Sequence, residues 1–292
     1  MGVLLLKSLL YGILEGITEW LPVSSTGHLI LLEEFLTLHV GADVHPQFAS
    51  EFRELFLVAV QVGAVLAVIM TYRERLLPKL QQSGAFARAK GLWLRVIVGC
   101  IPAGLAGVAV DNVLLRLTGK DMDGLLYRPC VVGVMLILYG VLFIVAERMQ
   151  QNRCAAVCEV EQIPYLRAFG VGIFQVLSLV PGTSRSGACI LGGMLLGLSR
   201  TASAEFSFFM AVPVIFGACL VKVLGFAKFL LENRLRLPPE PIAVLLMACA
   251  VAYLTSCLSI RFLMRVTARR GFLPFGIYRI LLGAVVLLYD LF

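Results

Sequence analysis

Charge is scarce in this sequence. Only 15% of its 292 residues are Asp, Glu, Lys or Arg, while 60% are hydrophobic; an ordinary soluble chain carries about a quarter charged residues. With a mean hydropathy of +0.92, that shortage excludes a soluble domain and leaves an integral membrane protein. Acid is the scarcer sign, 18 residues against 25 basic ones. In a soluble chain this excess would suggest nucleic acid, but here the basic residues gather in two short loops. Arg73, Arg75, Lys79, Arg88 and Lys90 face only Glu74 over positions 73–90, and Arg261, Arg265, Arg269 and Arg270 face no acid over 261–273. Loops of this kind mark the cytoplasmic side and meet anionic headgroups, so no nucleic-acid partner is expected. Histidine is rarer still, with three residues at 28, 39 and 45. Paired cysteine motifs are missing too: Cys154 and Cys158 stand in a lone CxxxC with no second pair and no neighbouring His, which indicates neither a metal site nor redox chemistry.

What the chain has in abundance is long apolar sequence. Six stretches, approximately 54–72, 92–112, 129–147, 203–225, 241–262 and 274–291, are long enough to cross about 30 Å of hydrocarbon as helices. Lys7 ahead of the first apolar run resembles a signal-peptide start, but cleavage would discard the polar cluster that follows, so the segment is read as part of the fold. Two other apolar regions, 3–38 and 165–199, are broken halfway by LPVSSTGH and VPGTSRSGA. Irregular backbone at membrane depth is tolerated only where it is buried in protein or lines a cavity. Both regions are therefore expected to be re-entrant helical hairpins.

Each hairpin precedes three full spans, so the chain divides into 1–147 and 165–292 with a cytoplasmic linker at 148–164. Pro22, Ser24, Ser25 and Gly27 run in order like Pro181, Thr183, Ser184 and, one position late, Gly187; EFRELFLVAVQVGA at 51–64 echoes AEFSFFMAVPVIFGA at 204–218. Three spans between repeats is an odd number, so the second half is inverted. The expected fold is all-α, a polytopic membrane protein with inverted repeats, six full transmembrane helices and two re-entrant hairpins. Placing both basic loops inside makes the first hairpin enter from outside and the second from the cytoplasm, with their tips meeting near the midplane.

The polar residues of the tips carry the chemistry. Glu15 and Glu19, four apart, share a helix face, and such a pair inside a membrane needs a cation, a proton or a polar cavity. Arg185, a divalent metal, or both can supply it; hard oxygen ligands suit Mg²⁺ or Ca²⁺. The hydroxyl-rich turns Ser24, Ser25, Thr26 and Gly27, and Thr183, Ser184 and Ser186, precede returning half-helices whose free N–H groups bind anions. Arg185 adds a planar fork for phosphate oxygens. His28 lies close enough to the serines to activate one of them or to attack phosphorus itself, and Gln61 is expected to face the same site. Two functions fit this arrangement: a phosphoryl-transfer enzyme, or a transporter with a midplane site on broken helices.

EGITEWLPVSSTGHL at 15–29, PGTSRSGA at 181–188 and SAEFSFFMAVP at 203–213 resemble the undecaprenyl-diphosphate phosphatase family of the bacitracin-resistance type, over essentially the whole chain. The type 2 phosphatidic acid phosphatases, another membrane lipid phosphatase family, are excluded because no His follows position 45. The resemblance implies hydrolysis of a polyprenyl diphosphate to monophosphate and inorganic phosphate, which recycles the lipid carrier of peptidoglycan synthesis. It also implies a divalent cation and an active site facing the external side of the bacterial plasma membrane. Its motif residues correspond to Glu15, Glu19, Ser24, Ser25, Thr26, His28 and Arg185 with its flanking Ser184 and Ser186, and Gln61 resembles a further site position. The expected mechanism has Arg185 holding phosphate and Glu15 and Glu19 holding or positioning Mg²⁺ or Ca²⁺, while Ser25 or His28 attacks the phosphorus or orders the attacking water, with Ser25 assisted by His28 preferred. The expected partners are the polyprenyl diphosphate and membrane lipid, with homodimerisation left open.

Overall fold

The computed structural model describes residues 2–38, 40–41, 44–78, 84–118, 126, 128–151 and 155–291; His39, Asp43, Lys79 and Cys154 lie outside them. Among the described residues the chain is helical, and its one extended pairing is an isolated bridge between Val157 and Leu198. The helices are α1 (Gly2–Thr18), α2 (Ser25–Phe35), α3 (Phe48–Thr71), α4 (Arg73–Leu76), α5 (Ala85–Thr118), α6 (Pro129–Gln151), α7 (Tyr165–Val176), α8 (Arg185–Leu195), α9 (Arg200–Glu232), α10 (Pro239–Arg270) and α11 (Leu273–Leu291). Six of them, α3, α5, α6, α9, α10 and α11, are long and apolar enough to cross a membrane. Several run past the expected limits, α9 to Glu232 and α10 to Arg270. The apolar run ends where the hydrocarbon ends, whereas helical hydrogen bonding continues through the charged turns beyond it.

The two interrupted regions are helical hairpins. At 1.5 Å per residue the 11-residue helices α2 and α8 are each about 16 Å long, half of what a crossing needs. The first hairpin opens toward the end of the molecule where Glu33 pairs with Arg53 and Lys222 pairs with Glu54 at 2.8 Å. The second opens toward the other end, where Arg95 donates to Ile163 O at 2.7 Å and Gln150 to Leu198 O at 2.6 Å. That end also holds the network of Arg75 with Glu161 and Glu205, each at 2.8 Å. The hairpins thus enter from opposite ends and meet inside.

The packing repeats with the same inversion. α1 lies against α10 as α7 lies against α5, α3 packs on its counterpart α9, and α6 on its counterpart α11. A Cβ at Gly12 would stand 2.5 Å from Ala248 O, and one at Gly172 would collide with Gly99 O. Equivalent glycines therefore let equivalent helix pairs approach through their backbones. One apolar cluster forms around Trp20, Phe206, Phe208 and Phe209 against α8, and a second around Tyr11, Phe48, Phe52 and Phe56 against the far end of α9.

The register of the tips differs from the sequence expectation. α2 starts at Ser25 and α8 at Arg185, so Ser24 matches Ser184 and Gly27 matches Gly187, while Pro22 matches Gly182 rather than Pro181. Backbone conformation decides the matter: Ser24 has φ 72° and Ser184 φ 71°, a left-handed setting that non-glycine residues rarely adopt.

Candidate active site at the facing hairpin tips

In the first tip, Glu19 N donates to Glu15 O at 3.0 Å. The helical turn continues one step past α1, and both carboxylates fall on one face. Trp20, fully buried, meets Phe208 edge-on at 5.3 Å and anchors the turn. Ser24 precedes α2 without capping it; its hydroxyl is buried with no partner. The first N–H groups of α2 therefore remain available to an anion. In the second tip, Ser184 Oγ accepts from Gly187 N at 3.2 Å and lies 3.1 Å from Ser186 Oγ.

Arg185 joins the two tips. Its Nη2 donates to Glu19 Oε1 at 2.6 Å, its Nη1 to Ser207 O at 2.7 Å, and its guanidinium sits 5.9 Å from the Trp20 ring centre. Glu15, one helical turn before Glu19, is fully buried with Oε1 unpartnered. Two carboxylates against one guanidinium leave a surplus negative charge, which a buried site holds only with a proton or a further cation.

A cavity of about 260 Å³ opens between the tips. Of the residues expected at the site, Glu19, Ser25, Thr26, Gln61, Ser184, Arg185 and Ser186 line it. Glu15, Ser24 and Thr183 are buried directly behind that lining, and Gly27 packs toward Leu136 and Leu282. Larger recesses beside Phe262 and beside Leu246 contain no carboxylate, so volume alone does not locate the chemistry.

His28 sits differently from the sequence expectation. Its Nδ1 lies 2.8 Å from Ser24 O; a carbonyl only accepts, so that nitrogen carries the proton. Nε2 then accepts from Tyr278 Oη at 2.7 Å, and the two rings stack with centroids 5.7 Å apart. Both ring nitrogens are committed away from Ser25, because a residue one helical turn past Ser24 points back at that carbonyl and out toward α11. In this arrangement His28 braces the first tip.

Sequence reasoning missed Arg279. Fully buried on α11, it donates from Nη1 to Pro22 O at 3.1 Å and from Nη2 to Gly182 O at 2.9 Å and Thr183 O at 3.0 Å, with Tyr139 beneath it at 5.4 Å. One guanidinium satisfies backbone carbonyls of both tips and fixes their separation. Its signal was present as the single basic residue inside the last apolar span, where an ionisable group is functional by default. Thr18 and Ser178, which also line the cavity, look like ordinary helix-end residues in the sequence.

The family model for the bacitracin resistance protein BacA matches residues 8–285. The chain belongs to the BacA family. It is 43% identical over 286 residues to the undecaprenyl-diphosphatase of Desulfitobacterium hafniense, covering 97% of this chain and 95% of that one. It is 42% identical over 288 residues to the Enterococcus faecalis undecaprenyl-diphosphatase, with 97% and 96% covered. The Acetivibrio thermocellus undecaprenyl-diphosphatase is 40% identical over 289 residues, with 98% of each chain covered.

Among the described residues of this BacA-family chain, no group of three or more His, Cys, Asp or Glu gathers as a metal cage. The donors at the tips nevertheless suit a hard divalent cation. Glu15 and Glu19 supply carboxylate oxygens, one of them buried and unpartnered, and Mg²⁺ in particular is commonly held by one or two carboxylates together with substrate phosphates. Glu54 and Glu205 do not contribute, since Lys222 and Arg75 hold them at the two ends of the molecule.

Proposed function

We infer that this protein hydrolyses undecaprenyl diphosphate to undecaprenyl phosphate and inorganic phosphate, regenerating the lipid carrier used in peptidoglycan synthesis. The observation that carries the reading is the Arg185–Glu19 pair across a polar cavity, within a chain matched nearly end to end by undecaprenyl-diphosphatases. It sits in the bacterial plasma membrane as a multi-pass protein. The end carrying Arg73, Arg75, Arg269 and Arg270 has the basic character of a cytoplasmic face, and the cavity between the tips opens to the opposite, external side in this reading.

The diphosphate lies between the tips. Arg185 turns from Glu19 toward the phosphate oxygens, and the N–H groups that begin α2 and α8 complete the cradle, as does Gln61 from α3. Ser25 attacks the terminal phosphorus as the bond to the bridging oxygen breaks, its proton passing to a phosphate oxygen of the prenyl monophosphate that leaves. Water then attacks the phosphorus of the phosphoserine, the bond to Ser25 Oγ breaks, a proton from that water restores the hydroxyl, and inorganic phosphate is released. Glu15 and Glu19 are the residues that would hold Mg²⁺ or Ca²⁺, and such a cation, when bound, neutralises charge on the diphosphate. Thr26, Ser184 and Ser186 position the remaining oxygens, and His28 and Ser24 keep the first tip in place.

Inverted repeats with tips at mid-depth also favour a prenyl-phosphate transporter. Phosphate release from undecaprenyl diphosphate by the purified protein separates the two readings. Release supports the phosphatase; no release by the folded protein with either Mg²⁺ or Ca²⁺ overturns it and puts the transporter first.

A further inference from the structure

The two halves of the fold differ at one seam. Aligning Glu51–Phe52 with Glu205–Phe206 makes Gly63 of α3 equivalent to Gly217 of α9. Gly63 is closed in: a Cβ there would collide with Cys249 O of α10, and Cys249 Sγ donates to Ala59 O at 3.4 Å. Around Gly217 a Cβ would meet nothing within 4 Å. Two turns earlier on the same stripe, α9 does touch α5, with Cys100 Sγ donating to Met210 O at 3.6 Å and a Cβ at Gly99 falling 3.1 Å from Met210 Sδ. The helices therefore part between Met210 and Gly217.

Proline accounts for the parting. α5 and α9 carry interior prolines, Pro102 and Pro213, just past their contact. An interior proline deletes a ladder hydrogen bond and bends the helix. In the closed pair α3 has no proline, and the prolines of α10 fall in its first turn.

The open seam leads into the polar cavity. Val214 and Ala218, on either side of Gly217, line that cavity together with Ser178 and Val180 of the second tip. Leu179, between the latter two, reaches to 3.7 Å from the Cβ position of Gly107 on α5. Outward along α9 the stripe continues through Val221, 68% exposed, to Gly225, whose Cβ position is also open. The path runs from a phosphate-sized polar chamber to an apolar, glycine-floored outlet toward hydrocarbon.

We propose that the prenyl chain of the substrate leaves the active site through the seam between α5 and α9, passing over Gly217. The inference rests on the lipid diphosphate reading given above. A branched isoprenoid needs width at each methyl group, and Gly217 provides it where any side chain would narrow the outlet. The closed seam between α3 and α10 offers no such room. The tail thereby sets the direction of approach, with the diphosphate entering headfirst from the plane of the membrane.

The test uses a prenyl diphosphate bearing a diazirine in its first isoprene units, photolysed with the full-length protein in lipid nanodiscs and competed with unlabelled undecaprenyl diphosphate. Competed labels on 103–110 and 213–224 are expected; competed labels on 59–66 and 246–254, or none on 213–224, overturn the proposal. Labelling needs no turnover, so a protein that failed to hydrolyse the lipid would sink the phosphatase reading and still report on the seam. In a second arm, Gly217→Trp is compared on undecaprenyl and farnesyl diphosphates. The kcat/KM ratio of long to short substrate is expected to fall about tenfold or more, and an unchanged ratio contradicts the seam. If that variant does not fold, Gly217→Leu takes its place.

Discussion

Arg185 Nη2 lies 2.6 Å from Glu19 Oε1, and through this contact the tip of one hairpin is bound to the tip of the other. A second bond, from Nη1 to Ser207 O, uses the other arm of the same planar fork. Lysine keeps the charge but has no fork. Arg185→Lys is therefore expected to lower kcat/KM by about 100-fold, and Arg185→Ala by about 1000-fold, in the range for lost charge-stabilising donors. Phosphate release checks both; a lysine variant with wild-type activity would show that charge alone suffices.

Ser24 and Ser184 share their left-handed backbone but not their side-chain roles. Ser184 caps α8, while the Ser24 hydroxyl is unpartnered. Glycine relieves the backbone strain in both, at about 1–3 kcal/mol for such a conformation, but it removes a cap only at Ser184, worth about 1 kcal/mol. Ser24→Gly is expected to raise the unfolding temperature in detergent more than Ser184→Gly does. Its looser tip is expected to lower kcat at the same time.

Arg279 donates to three buried-turn carbonyls, those of Pro22, Gly182 and Thr183. Arg279→Met leaves them buried and unpaired, at about 1–3 kcal/mol each, and should lower the unfolding temperature markedly. Arg279→Lys reaches fewer of them and falls between. Because the residue positions tips and does not line the cavity, activity lost in the lysine variant is expected as a fall in kcat with KM little changed.

His28 accepts from Tyr278 and donates to Ser24 O, and the predicted kinetics follow from that bracing role. Tyr278→Phe is expected to keep activity within about fivefold, because one neutral hydrogen bond is worth about 1 kcal/mol. His28→Asn, whose amide also donates toward Ser24 O, is expected to retain the shape of the pH profile of kcat while lowering its height. Loss of one limb of that profile in His28→Asn would make His28 the proton acceptor instead.

Much of this architecture was legible in the sequence because membrane depth leaves few options. A 20-residue apolar run crosses, and a run broken by PVSST or PGTSRS folds back. The tip register was less legible. Pro22 and Pro181 look like landmarks by identity, yet the chain is matched by the positive φ of Ser24 and Ser184, a backbone property that residue type does not announce for serine. The setting of His28 was also hidden: proximity in sequence to Ser25 says nothing of a tyrosine 250 positions away. Arg279 could have been found, since a lone arginine in an apolar span demands partners, but its partners are carbonyls, which every residue carries. The seam at Gly217 follows from two prolines whose effect depends on which helix lies alongside.

The central claim is that the two facing tips form one metal-assisted phosphatase site. Phosphate release from undecaprenyl diphosphate, measured on purified wild type, Glu19→Ala and Arg185→Ala with Mg²⁺ or Ca²⁺ and again with EDTA, tests it most directly. The account predicts release by wild type that EDTA abolishes and added cation restores, and loss in both variants although each residue comes from a different hairpin. Undiminished release by either folded variant, or by wild type in EDTA, would contradict it.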